Sequence, residues 1–184
     1  LKVNEITLLE NCIDLIKSLG IKKIILNTFY LKEKIKSFVE IKKFDLDITI
    51  INDGKKILNT GGGILNMMNS SNDSDFLILN PDTVWNHGYL EKIKGMEGFY
   101  FTNKIKNILL LVNKNLSFDK KLKGDFNLLK NKIKKDLQND LVYTGCQIMN
   151  KDLFDSYSIS DFSISEIWNN LASKNQLYGY ESLE

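Results

Sequence analysis

Two short stretches carry residue types that could do chemistry. In "DFLILNPDTVW", residues 75–85, an apolar run ends in Asn80-Pro81-Asp82, and Pro81 is the only proline in the chain. Proline fixes its own φ and pushes the preceding residue towards extended backbone. The Asp82 carboxylate is therefore expected on a stiff stem just beyond a strand. Such a group can hydrogen-bond the amides of its own turn, or serve as a hard oxygen ligand for Mg²⁺ held together with phosphates. In "NTGGGILNM", residues 59–67, three consecutive glycines lead into an apolar periodic segment. Two readings stand here as well: a tight turn, or backbone N–H groups brought close to a ligand at a helix start. The spacing fits neither a Walker loop nor the dinucleotide G-x-G-x-x-G pattern.

Other residues carry weaker signals. Gly145 interrupts the strand-like "LVYTGCQIM" and marks a bulge or a close backbone approach. Asp125 in "KGDFNL" reads as a turn residue, and His87, the only histidine, as an exposed polar residue. Trp85 and Trp168 read as core or pocket wall. The lysine pairs at 22–23, 42–43 and 134–135 read as solvated faces.

These residues need elements to hold them. Apolar residues at 6, 8, 9, 12, 13, 15, 16 and 19 predict a helix that stops at Gly20. "KKIILNT" predicts a strand, "YLKEKIKSFVEIKK" a helix, "DLDITIIND" a strand, the glycine segment a turn into a helix, and "DFLILN" a third strand. Strands alternating with helices argue for a parallel sheet with crossover helices, whose ligands bind beyond the carboxyl ends of the strands. Asp82 and Gly61–Gly63 should both lie there. In the second half, "GFYFTN" and "NILLLVNK" read as neighbouring strands, and "GDFNLLKNKIKKDL" as strand, turn and strand. "DLVYTGCQIMN" is a strand, "SISEIWNNLASKN" a helix and "QLYGYES" a last strand.

Composition sets limits. The chain has 184 residues, 43% hydrophobic, and is read as a single domain over residues 1–184. Its net charge of +2 is spread along the chain, which argues against a nucleic-acid partner. All basic residues are lysines, so no site rests on bidentate arginine–phosphate forks. No apolar run reaches the ~18 residues of a membrane helix. Cys12 and Cys146 form no metal or redox pattern and read as core thiols of a reduced, cytoplasmic protein.

Taken in order, "KKIILNTFYLKEKIKSF", "DLDITIIND", "ILNTGGGILNM", "DFLILNPDTVW", "KGDFNL", "LVYTGCQIMNKDLF" and "FSISEIWNNLASKNQLYGY" form a recognisable set. The chain resembles the sugar-phosphate nucleotidyltransferases over nearly its whole length. The uridylyltransferases acting on N-acetylmuramate 1-phosphate are the nearest subgroup, and mannose-1-phosphate guanylyltransferase-like enzymes come next. "TGGGI", "N-x-D-x-x-W" and "YTG" are the most specific parts. The resemblance implies an α/β, Rossmann-like (GT-A-like) fold, three-layer α/β/α with a mixed, mostly parallel sheet. It implies cytoplasmic synthesis of a nucleotide sugar, such as a cell-wall precursor. A sugar 1-phosphate attacks the α-phosphorus of a nucleoside triphosphate, UTP favoured, and pyrophosphate leaves, with Mg²⁺ on the phosphates. By position, Asp82 matches the catalytic, metal-binding aspartate. Thr60, Gly61, Gly62 and Gly63 match the nucleotide-binding segment. Gly145 matches a sugar-pocket glycine, and Ser163 sits where some relatives place a sugar-contacting acid.

The departures are as informative. Relatives open with a strand, a "GxGxR" loop that cradles the triphosphate, and a lysine ahead of the segment matching Leu1-Lys2-Val3. Residues 1–184 contain no such loop, and Lys2 aligns just after that lysine. Relatives also carry a further metal motif after the strand matching "QLYGY". In the family sheet the first strand lies between those matching 22–28 and 76–80, so a gap or a foreign pairing is expected there. The chain is expected to be an inactive fragment or a degenerate copy of such an enzyme. The alternative is a non-catalytic module that binds a nucleotide or a sugar phosphate.

Overall fold

The computed structural model describes residues 2–3, 5–134 and 138–182. Residues 1 and 4, residues 135–137 of the expected strand pair, and residues 183–184 lie outside them. Two short strands, β1 (Lys2–Val3) and β2 (Ile6–Thr7), pair antiparallel and lead into α1 (Leu8–Ser18). The Thr7 side chain caps α1 by accepting from the Glu10 N–H at 3.1 Å, and Gly20 follows its end at φ +82°. Next come β3 (Lys23–Thr28), α2 (Lys32–Lys42), β4 (Asp47–Asn52), α3 (Asn59–Asn69), β5 (Asp75–Leu79) and α4 (Gly88–Thr102). The second half holds β6 (Asn107–Asn113), β7 (Asn127–Leu129), β8 (Lys132–Lys134), β9 (Leu141–Asn150), α5 (Ile164–Ser173) and β10 (Gly179–Ser182).

One expected strand is a helix. "GFYFTN" forms the last turns of α4 rather than a partner for β6. Its aromatic residues favour strands locally, but Ile93, Met96 and Tyr100 are spaced for one helical face, and all three are buried. Tertiary packing overrides the local preference. The expected hairpin forms: β7 and β8 pair antiparallel around Lys130 and Asn131, both at positive φ.

Four strands make one sheet in the order β10-β6-β9-β5. β6 and β10 pair parallel, and β9 runs antiparallel to both β6 and β5, so the sheet is mixed. Helices cover both faces. Ile64, Leu65 and Met68 of α3 share one core with Ile164, Ile167 and Leu171 of α5. Cys12 and Leu15 of α1 share the other with Ile93 and Met96 of α4. This is the three-layer α/β/α arrangement, and Cys12 and Cys146 are core thiols in it.

β3 and β4 pair parallel, in register from Lys23–Asp47 to Thr28–Asn52, as a sheet of their own. Among the described residues β3 has only β4 as a neighbour, and β5 has only β9. The sheet is therefore interrupted between the strands matching 22–28 and 76–80, where the gap was expected.

Candidate functional site

Asp82 stands on a pinned loop. The Asn80 N–H donates to the Gly145 carbonyl at 2.8 Å, extending the β5–β9 ladder by one rung. The Thr83 hydroxyl donates to the Thr144 carbonyl at 3.1 Å, and the Trp85 indole Nε1–H to the Asn80 carbonyl at 3.1 Å. Trp85 is buried, edge-on to Tyr89 with centroids 5.0 Å apart. From α1, Asn11 makes two bonds of 2.7 Å to the Trp85 backbone: Nδ2 donates to its carbonyl, and Oδ1 accepts from its N–H. The loop between these anchors carries Asp82 exposed to solvent, and among the described residues its carboxylate makes no hydrogen bond or ion pair. The reading of Asp82 as a carboxylate that holds its own turn together is not what the loop adopts.

Gly145 is the partner surface of that loop. Leu111 pairs with Tyr143 and Leu109 with Gln147, so Leu110 alone faces Thr144, Gly145 and Cys146. This is the bulge the interrupted strand suggested. Gly145 has φ +89°, and a Cβ on it would lie 2.9 Å from the Asn80 Cβ and 3.1 Å from the Thr83 Oγ1. Glycine is needed both for the backbone angle and for the close approach. Asp125 braces the same strand, its carboxylate accepting from the Tyr143 N–H at 2.9 Å, a bond to a distant strand rather than the local turn role expected of it.

The glycine segment is organised differently. Gly61, Gly62 and Gly63 are buried within the first turns of α3. The N–H groups of Gly61 and Gly62 both donate to the Phe162 carbonyl, at 2.9 and 3.3 Å. The Thr60 Oγ1 accepts from the Ile164 N–H at 3.0 Å, and the Phe162 N–H donates to the Leu58 carbonyl at 3.3 Å. The starts of α3 and α5 thus satisfy one another's orphan groups. Ser163 caps α5, its Oγ accepting from the Ser165 N–H at 3.2 Å. A Cβ on Gly62 would sit 1.9 Å from the Ser160 carbonyl oxygen, and one on Gly61 2.3 Å from the Phe162 ring. On the far side of Gly63, Asn27 and Asn66 each donate to the Asp53 carboxylate, at 2.8 and 3.0 Å.

The structure therefore joins Asp82's loop to Gly145, and joins Thr60, Gly61 and Gly62 to the segment holding Ser163. His87 is exposed where α4 begins and makes no cap bond. Trp168 packs edge-on to Tyr143 and Phe126 and donates to Gln147 at 3.1 Å. Sequence reasoning missed Asn11, although a signal was present: it lies four residues before Leu15, a polar residue on the apolar face of α1. It also missed the cover over the glycines, because Ser160 and Phe162 are distant in sequence. Two residues before Gly145, the buried Tyr143 hydroxyl has no hydrogen-bond partner among the described residues, and burial pushes its pKa up.

No protein-family model matches the sequence, and no curated protein matches it. Solved structures do. HddC from Yersinia pseudotuberculosis, complexed with GMP-PN, aligns with a TM-score of 0.76 at 18% identity, over 99% of this chain and 79% of its own. The inositol-1-phosphate CTP transferase of T. maritima gives 0.78 at 12% identity, over 98% and 75%. UDP-glucose pyrophosphorylase from Acinetobacter baumanii gives 0.75 at 15% identity, over 98% and 76%. The chain has the nucleotidyltransferase fold. Within that fold, Asp82 leaves the carboxyl end of β5, the edge at which open α/β sheets take ligands.

Among the described residues no three His, Cys, Asp or Glu side chains are grouped as a metal cage requires. Asp82 alone fits a cation that keeps waters and shares itself with phosphates, as Mg²⁺ does. It does not make a closed protein site. No helix among the described residues is long and apolar enough to cross a membrane.

Proposed function

We propose that the chain is the body of a sugar-1-phosphate nucleotidyltransferase domain. The observation that carries this reading is the free, exposed carboxylate of Asp82 on a multiply anchored loop, in a chain with the fold of such enzymes. The phosphate oxygen of the sugar 1-phosphate forms a bond to the α-phosphorus of the nucleoside triphosphate. The bond from that phosphorus to the bridging oxygen breaks, and pyrophosphate leaves. Asp82 would hold Mg²⁺ against the triphosphate; bound there, the cation neutralises charge that builds on the phosphate oxygens. The pinned backbone keeps the carboxylate in place without having to reorder when the nucleotide arrives.

Gly145 and the bulge around it shape the sugar side. Thr60, Gly61, Gly62 and Gly63 wall the nucleotide side. Since the Gly61 and Gly62 N–H groups already serve Phe162, base contacts there come from other atoms of the segment. Ser163 contributes by starting α5 where the sugar pocket is placed. UTP is the favoured triphosphate. Some neighbours bear on this choice: one solved UDP-glucose pyrophosphorylase, with a TM-score of 0.76, is complexed with UDP-glucose.

Pyrophosphate release from UTP, GTP or CTP, with Mg²⁺ and a panel of sugar 1-phosphates, tests the reading. Asp82→Ala is expected to abolish both release and cation-dependent triphosphate binding while the circular dichroism stays unchanged. Equal activity in Asp82→Ala sinks the metal assignment. Triphosphate or sugar phosphate binding without any turnover moves the reading to a binding module.

A further inference from the structure

We propose that Asn11 is a positioning residue for Asp82, acting through the backbone of Trp85; this rests on the reading of Asp82 as a cation ligand. Asn11 is half-buried in α1, beside the buried Cys12, and both ends of its amide are engaged there. The amide forms a two-point clamp: both 2.7 Å bonds run to the backbone of one residue, Trp85, rather than to a side chain. A backbone clamp fixes where the chain runs, whichever side chains it carries.

The residue clamped is three positions after Asp82, and β9 holds the loop on both sides of Asp82, at Asn80 before it and at Thr83 between it and Trp85. Without Asn11 the loop keeps its β9 anchors, and the segment from Val84 to Asn86 loses its tie to α1. The Trp85 ring then holds its side by burial and one indole bond. Asp82, free of any bond of its own, depends on these tethers for its place. The clamp also couples α1 to the Asp82 loop, so a movement of α1 relative to the sheet is passed to the carboxylate.

Asn11→Asp separates this role from helix stability. The carboxylate keeps an acceptor for the Trp85 N–H but faces the Trp85 carbonyl with a second acceptor. Near the start of α1 a negative charge favours the helix itself. Asn11→Ala, which removes both bonds and keeps a good helix former, is the second variant. Amide hydrogen exchange across residues 80–87 is expected to speed up at least tenfold in both variants, with little change in the strands of the sheet. Mn²⁺ with UTP serves as the paramagnetic probe: it is expected to broaden the Asp82 and Thr83 amide resonances of the wild type, and to need at least tenfold more Mn²⁺ in either variant. Unchanged exchange, or unchanged broadening in both variants, overturns the role of Asn11 and leaves Asp82 as ligand. Absent broadening in the wild type overturns the ligand reading itself and, with it, the purpose assigned to the clamp.

Discussion

The Asp82 loop and the junction of α3 with α5 both follow strand ends, β5 in one case and β4 in the other, yet they use their polar groups in opposite ways. At the junction, Gly61, Gly62, Thr60 and Ile164 give their backbone and hydroxyl groups to one another's segments. In the loop, backbone groups, the Thr83 hydroxyl, the Trp85 indole and the Asn11 amide make the anchors, while the Asp82 side chain makes no bond among the described residues. A region whose donors and acceptors are all satisfied internally is built for rigidity. A region that anchors its backbone and leaves one carboxylate free is built to present that carboxylate. Sequence motifs offered a ligand-contact reading for both stretches, and hydrogen bonding separates them.

The largest effect is expected at the junction. A Cβ on Gly62 meets the Ser160 backbone oxygen at 1.9 Å, and backbone does not swing aside. Gly62→Ala should destabilise the chain by on the order of 3 kcal/mol, read by urea unfolding. Wild-type stability in that variant would erase the distinction drawn here.

The core that contains Trp85 also buries two thiols, Cys12 and Cys146. Burial pushes the Cys12 thiol up to about 12, and burial together with Cys12 pushes Cys146 higher still. In the unfolded chain both thiols ionise near pH ~8.5. Above that, the unfolded state binds fewer protons than the folded one, so stability falls as pH rises. The contribution is complete below about 8.5 and is lost progressively towards the folded values. Between about pH 9 and 10 each thiol should contribute a slope of roughly 1.4 kcal/mol per pH unit. Unfolding free energies in that window should show about half the thiol slope in Cys12→Ala.

Thr60→Val keeps shape and removes the acceptor for the Ile164 N–H, with a cost of about 1 kcal/mol in the same unfolding assay. Asp82→Asn should change stability by less than about 0.5 kcal/mol, because nothing in the fold uses its charge. The contrast between Thr60 and Asp82 sharpens the comparison: a measurable loss in one, none in the other. A Thr60→Val variant as stable as Asp82→Asn would blur it.

Much of the fold was legible because the signals were local. Gly20 ended α1, the interrupted strand at Gly145 marked a bulge, and the expected break between β3 and β5 appears, among the described residues, as two separate sheets. The α4 error arose where a short aromatic run outweighed a spacing that begins ten residues earlier. The site was legible only in part. Proline and aspartate spacing placed Asp82 correctly at a strand end. What covers Gly61 and Gly62 comes from Ser160 and Phe162, about a hundred residues away in sequence, and no local pattern carries that information. Asn11 and Trp85 are likewise joined across 74 positions.

Among the described residues β3 and β5 each have one side without a partner strand, and this has a consequence for handling the protein. A strand edge with free N–H and C=O groups is a template for other chains, and β5 carries four consecutive apolar residues, Phe76–Leu79. Asp75 and Pro81 flank that run and act as its gatekeepers, a charge at one end and a missing N–H near the other. Association through such an edge needs no unfolding, so solubility at high concentration can fail while the rest of the molecule is still folded.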